Sequence, residues 1–218
     1  MNIATSLIER VRFIMTSKKT TIYEQTYEAV RDMIFTGQLK NGEKIVETKL
    51  SEQLGVSRTP LREAIKRLEQ EKLIQNNQIS NPTHQDYQDI FELRILIEKS
   101  AVVKATNHFT MEDFTEMEDF VEIGYNGSSE AAMDANKKFH EKIVNATRNK
   151  FMIETFNQMQ SIIYLFRKTV LNHHRPGLID EHEEIVLAMK ERDAKKAEKL
   201  IEAHLKADLE FALYYLRT

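Results

Sequence analysis

Apolar residues recur at helical spacing over most of this chain, and the breaks between those runs divide it in two. Residues 50–74, LSEQLGVSRTPLREAIKRLEQEKLI, predict two short helices joined by a tight turn and followed by the start of a strand. The first helix spans Glu47 to Leu54 and stops at Gly55, a residue that accepts positive φ without steric cost. Val56 supplies a small apolar contact. Ser57 suits the N-cap of the second helix, and Pro60 falls in its first turn, where a missing N–H costs nothing. Leu61, Ala64, Ile65 and Leu68 then form a stripe for burial, while Arg58, Thr59, Arg62 and Lys66 lie to one side of it. A helix-turn-helix with a basic outer face on its second helix is the layout of a helix that enters the DNA major groove.

The flanking segments extend this unit. Ile22 to Phe35 predicts an amphipathic helix with Ile22, Val30, Met33 and Ile34 among its apolar positions, ended by Gly37 and the Asn41-Gly42 pair. LIQNNQIS predicts two very short strands around Asn76-Asn77, the wing of a winged helix, with few basic residues. Asn81-Pro82 marks a boundary, because a residue before proline is biased away from helix. Thr83 can cap the next helix. Helices are expected over roughly 83–107, 110–124, 129–147, 150–172, 180–191 and 194–216, interrupted at Gly124–Ser129 and His173–Gly177. The predicted fold class is mainly α. A tail spans 1–20, a winged helix-turn-helix 21–82, and an all-helical bundle 83–218.

Composition narrows the classes. The 218 residues are 41% hydrophobic and 30% charged, with 6 Gly and 3 Pro, as suits a mostly helical globular protein. No cysteine is present, which removes disulfides, thiolate metal sites and cysteine nucleophiles, and fits a reducing cytoplasm. No apolar run approaches a membrane span, and the opening MNIATSLIERVRFIM lacks a cleavage site, so neither a membrane partner nor a signal peptide is expected. The net charge of −3 is uneven: residues 18–73 hold 11 Lys and Arg against 9 Asp and Glu, and residues 74–218 carry −6. That asymmetry is in the direction expected if only the first region meets phosphate.

Polar residues interrupt the apolar stripes of the second region. Asn136, His140, Ile143, Val144 and Thr147 share one helix face. His182 opens the stripe of Ile185, Val186 and Met189, and His204 lies among Leu200, Ile201, Leu205 and Phe211. A single inward histidine is usually a hydrogen-bonded core residue, but three need three partners. One divalent metal would serve all three, and imidazole suits Zn²⁺, Ni²⁺, Cu²⁺ and Fe²⁺. Asn136, one turn before His140, offers an oxygen to the same centre, whereas Asp134 points off that face. Arg94 lies among Ile90, Leu93, Ile97 and Ala101. It is either paired with Glu98 at i+4 or a clamp for a carboxylate ligand. Arg167, His173 and His174 are further candidates for the cavity wall, the two histidines more simply belonging to an exposed loop. Phe35, Phe91, Phe139, Phe151, Phe156 and Phe166 are expected in the core, not on a stacking platform.

Two resemblances sharpen these readings. GVSRTPLREAIKRLEQEKLI resembles the DNA-binding domain of GntR-type bacterial transcription regulators. NKKFHEKIV and EHEEIVLAMKERDAKKAEKLIEAHL resemble the FCD effector domain of the FadR branch, six-helix type. The first implies DNA contacts from Thr48, Lys49, Ser57, Arg58, Thr59, Arg62 and Lys66. The second implies a metal, Zn or another transition ion such as Ni, held at Asn136, His140, His182 and His204. The family pattern has a carboxylate where this chain has Asn136, and an amide is the weaker ligand. A small carboxylate effector at Arg94 and Arg167, a homodimer, and a pseudo-palindromic double-stranded operator complete the implied picture of a repressor. The competing expectation is a metal-dependent hydrolase with an attached DNA-binding module, using Glu181 or Glu183 as general base. A scaffold with a vestigial pocket is a third, and it predicts no stabilisation by ligand.

Overall fold

The computed structural model describes residues 21–170 and 175–215, with the side chains of 164 and 166–170 outside the description. The expectations for the 1–20 tail, Phe166, Arg167, His173 and His174 therefore lie outside the described residues. The chain divides into two compact units between Asn81 and Pro82.

The first unit contains α1 (Ile22–Phe35), α2 (Glu47–Leu54), α3 (Arg58–Gln70), β1 (Ile74–Gln75) and β2 (Gln78–Ile79). Thr21 starts α1 through a capping box, its hydroxyl accepting from the Glu24 N–H while Glu24 accepts from the Thr21 N–H. Gly55 ends α2 at φ 66°, the left-handed conformation that lets the chain turn into α3. Leu61, Ala64, Ile65 and Leu68 of α3 are buried, as are Val30, Met33 and Ile34 of α1, and the two helices pack together. Tyr27 of α1 donates to the Glu71 carboxylate at 2.8 Å, and the Arg67 guanidinium lies 3.8 Å from the centre of its ring, fixing the far end of α3.

Beyond α3, Asn76 and Asn77 both adopt positive φ, as a two-residue type I′ hairpin requires. Ile74 pairs with Ile79 and Gln75 with Gln78, so the isoleucines turn inward and the glutamines outward. Two local expectations need correction. Ser57 occupies the N-cap of α3 but its hydroxyl makes no capping bond. Ile22 is largely exposed because it stands at the first position of α1, before the helix reaches its neighbours.

The second unit holds α4 (His84–His108), α5 (Met111–Asn126), α6 (Ser129–Asn145), α7 (Lys150–Val170), α8 (Leu178–Lys190) and α9 (Ala194–Tyr215). Thr83 and Thr110 each open a helix with a capping box closed by Asp86 and Asp113. Helix α4 runs through the bundle and packs against α6, α7, α8 and α9. Ala101, Val102 and Ala105 on α4 meet Phe139, Ile143, Ile185, Ile201 and Leu205 in one continuous core. Truncating a fully buried residue such as Phe139 to alanine would cost about 3–5 kcal/mol. Arg192 closes one end, donating to the carbonyls of Thr106 and Phe109 where α4 finishes.

Here too the pattern misleads in places. Gly124 does not break α5, which continues to Asn126. It is small because Ile179 packs against it, and a Cβ there would lie 2.6 Å from the Ile179 Cδ1. Leu93 and Phe151, expected inside, are exposed at 41% and 67%. Among the described residues no helix is long and apolar enough to cross a membrane.

Candidate metal centre and DNA-reading helix

Three helices of the second unit bring their histidines to one point. His140 (α6), His182 (α8) and His204 (α9) are buried, and their ligand nitrogens all lie within 4.8 Å of one another. His204 Nε2 is 3.2 Å from His182 Nε2 and 3.3 Å from His140 Nε2. Each is placed by the apolar stripe around it: Ile143 and Val144, Ile185 and Val186, Ile201 and Leu205. The Phe139 ring stacks on His182 at 4.0 Å between centroids and 9° between planes, fixing that imidazole's tilt.

Carboxylates set which nitrogens face the centre. Glu98 Oε2 is 2.6 Å from His140 Nδ1, and Glu181 Oε2 is 2.8 Å from His204 Nδ1. Glu98 suits His140 Nδ1 as an N–H donor, while His204 Nδ1 lies between the Glu181 carboxylate and an Arg175 N–H at 3.1 Å, and the Nε2 atoms of both rings are turned toward the centre. One cation between the three imidazoles would serve an inward nitrogen of each. Burial, reinforced by the charges of His204, His140, Arg175 and Arg94, holds His182 well below the usual imidazole pKa, in the neutral form that ligates metal. Metal–nitrogen bonds of about 2.0–2.1 Å at a tetrahedral angle place their nitrogens about 3.3–3.4 Å apart, close to the two spacings from His204.

Asn136 shares the face of His140 one turn earlier. Its Oδ1 is buried and accepts no hydrogen bond from any described residue. A buried acceptor left unsatisfied costs about 1–3 kcal/mol, so this oxygen fits a ligand position. Asp134 is exposed and pairs with Lys138 at 2.7 Å, away from the centre.

Around the histidines lies a ring of buried and half-buried charge that the apolar pattern did not reveal. Arg94, only 3% exposed, binds Glu98 Oε1 through Nε at 2.5 Å, with Asp208 Oδ2 at 3.7 Å from its Nη1. The i+4 ion pair is thus formed. Burial pushes the Glu98 carboxyl up, against the pull of Arg94 and His204. Arg175 donates to Asp208 and to both oxygens of Glu181. Burial opposes ionisation of Glu181, yet the bonds from Arg175 and His204 bring its pKa down to about 2. Asp208 stays below its ordinary value for similar reasons, its burial outweighed by His204, Arg94 and Arg175. Of this ring, only the spacing of Arg94 and Glu98 was visible beforehand. Glu181 and Asp208 sit on faces that look solvated, and Arg175 lies outside the helices, just before the Pro176–Gly177 turn.

In the first unit, Thr48, Lys49, Ser57, Arg58, Thr59, Arg62 and Lys66 lie on α2, on α3 and in the turn between them, and none of them is buried. Arg62 reaches back across the turn, and its Nε donates to Glu47 Oε2 at 2.7 Å. Arg58 and Lys66 make no ion pair with another described residue.

Comparison with known proteins agrees with both halves. Residues 22–80 match the family of bacterial regulatory proteins, gntR family, and residues 89–207 match the FCD domain. An uncharacterised HTH-type transcriptional regulator of Bacillus subtilis, YdhC, is 30% identical over 213 residues, covering 91% of this chain and 94% of that protein. The gluconate operon transcriptional repressor of Bacillus licheniformis is 26% identical over 180 residues, covering 75% of this chain and 74% of the repressor. The fold is also that of E. coli McbR/YncC, with a TM-score of 0.74 at 20% identity over 89% of this chain and 98% of the other. These relatives are regulators, and Glu181 is committed to Arg175 and His204, so the hydrolase expectation is without support. Taken together, the winged helix-turn-helix, the helical bundle and these matches show that the chain belongs to the gntR family of bacterial regulatory proteins and is a DNA-binding transcriptional regulator with an FCD domain.

Proposed function

We propose that this regulator is a metal-dependent sensor of a small carboxylate, acting in the cytoplasm as a homodimeric repressor on a pseudo-palindromic operator. The observation that carries the sensor reading is the convergence of three imidazoles, two of them tied to carboxylates through their outer nitrogens. Asn136, His140, His182 and His204 would hold the ion, and Zn²⁺ suits a set of imidazoles and one amide, with Ni²⁺ as the nearest competitor. Such an ion supplies Lewis acidity toward an anionic ligand. Arg94 and Arg167 are the proposed carboxylate partners, Arg94 keeping its Nη groups only loosely engaged by Asp208. The gluconate operon repressor is named for the operon of a carboxylate, which favours that ligand class.

A dimer would offer two copies of α3 to two half-sites. The effector acts as a switch only if it binds one arrangement of the protein better than another. A thermal-shift screen of small carboxylates, with and without chelator, tests this directly. Stabilisation by one acid that disappears with chelator supports the sensor. Stabilisation indifferent to chelator removes the metal from it, and no stabilisation by any acid supports the vestigial-pocket alternative.

A further inference from the structure

We propose that Glu47 is a positioning residue for sequence readout: it presets Arg62 to read a guanine and at the same time weakens indiscriminate binding. The proposal rests on the reading of α3 as the helix that enters the major groove.

Glu47 opens α2, and its carboxylate lies in the first turn, where the free N–H groups of a helix favour negative charge. From there it accepts a hydrogen bond from Arg62 Nε at 2.7 Å, fifteen residues away and on the exposed face of α3. The Arg62 side chain is 64% exposed, so this bond contributes little to the core. Its effect is on geometry. A guanidinium held through Nε has its side edge occupied and its Nη1/Nη2 edge open. That open fork is the pair of donors that matches O6 and N7 of guanine. A flexible arginine would be ordered only on binding, while one already tethered loses less freedom at that step.

The charge acts in the opposite sense on the DNA backbone. A carboxylate beside Arg62 cancels much of the attraction that a free arginine offers to phosphate. Arg58 and Lys66, which have no such partner among the described residues, remain suited to phosphate. Glu47 therefore moves one of three cations from general attraction to base selection.

The test uses the full-length protein and needs no known operator. Wild type, Glu47→Gln, Glu47→Ala and Arg62→Ala are each carried through selection from a random-sequence duplex pool, and the enriched pools are sequenced. Binding of each protein to unselected random duplex is followed by fluorescence anisotropy. Wild type should enrich a guanine that Arg62→Ala no longer selects. Both Glu47 variants should lose about tenfold of the preference at that same position. Their affinity for random duplex should rise, which a merely misfolded protein would not show, and an unchanged affinity would overturn the claim that Glu47 weakens indiscriminate binding. Glu47 variants that keep the full guanine preference while Arg62→Ala loses it would overturn the positioning role and leave DNA reading intact. A guanine preference that survives Arg62→Ala would overturn Arg62 as the reader. Wild type that enriches no sequence would overturn the DNA reading on which the proposal rests.

Discussion

Oε2 of Glu98 lies 2.6 Å from Nδ1 of His140, with both side chains fully buried, and this bond decides which imidazole nitrogen faces the centre of the bundle. The other oxygen of Glu98 binds Arg94. One carboxylate thus couples the proposed metal centre to the proposed effector arginine. Replacing Glu98 with glutamine should weaken divalent metal binding by about 10–100-fold, measured by competition with a chromophoric chelator. Replacing it with alanine, which leaves Arg94 only its looser contact with Asp208, should in addition cost up to about 3–5 kcal/mol of stability in denaturant unfolding. Metal affinity indifferent to both changes would show that Glu98 serves Arg94 alone.

Asn136 gives a change of opposite sign. Restoring a carboxylate with Asn136→Asp should raise metal affinity by at least about tenfold, since a charged oxygen is the stronger ligand for a hard or borderline cation. Asn136→Ala should lower it. Equal affinities for all three proteins by calorimetric titration would place Asn136 outside the coordination sphere.

Acid stability has a nameable contributor away from the histidines. Asp113 accepts from Lys142 Nζ at 2.8 Å and from the Thr110 N–H at 2.9 Å, and these bonds bring its pKa down to about 2. The unfolded value is about 3.9. A pKa depressed in the folded state means stabilisation that is fully present above about pH 4 and fades as the pH falls toward 2. Asp113→Asn should therefore lower the melting temperature at pH 7, with the gap to wild type closing as the pH drops through that window. A gap independent of pH would assign the loss to packing or capping instead.

DNA binding should show the signature of a charged face. Arg62→Ala should cost about 1–3 kcal/mol on a selected operator, and the affinity of wild type should fall steeply with salt. An anisotropy titration repeated across salt concentrations reads both quantities, and a flat salt response would contradict phosphate contact.

The parts of this molecule that were legible in its sequence are those specified locally. Thr83 and Gly55 mark a helix start and a helix stop through their own capping chemistry. Asn76-Asn77 marks the hairpin because both residues tolerate positive φ. The three histidines were legible because each interrupts an apolar stripe. Glu181, Asp208 and Arg175 were not, because a charged side chain on a helix or beside a turn looks solvated until a neighbouring element covers it. Glu98 was visible only as a partner for Arg94, four residues along the same helix. Its contact with His140 spans 42 residues, a separation no local pattern encodes. The same holds for apolar residues left outside. Nothing adjacent to Leu93 or Phe151 distinguishes them from the buried Phe91 or Phe156. Gly124 had the character of a breaker, and only the packing of Ile179 shows why a small residue is needed within a continuous helix.

Whether the three converging histidines hold a metal decides the sensor reading. Elemental analysis of purified wild type, beside a double variant carrying His182→Ala and His204→Ala, answers it. Wild type should carry about one equivalent of a divalent transition metal per chain, and the variant should lose most of it. DNA binding by the metal-free variant should be retained, because the histidines belong to a separate core. Equal metal content in the two proteins, or none in either, even after incubation with Zn²⁺ or Ni²⁺, would contradict a histidine-bound metal.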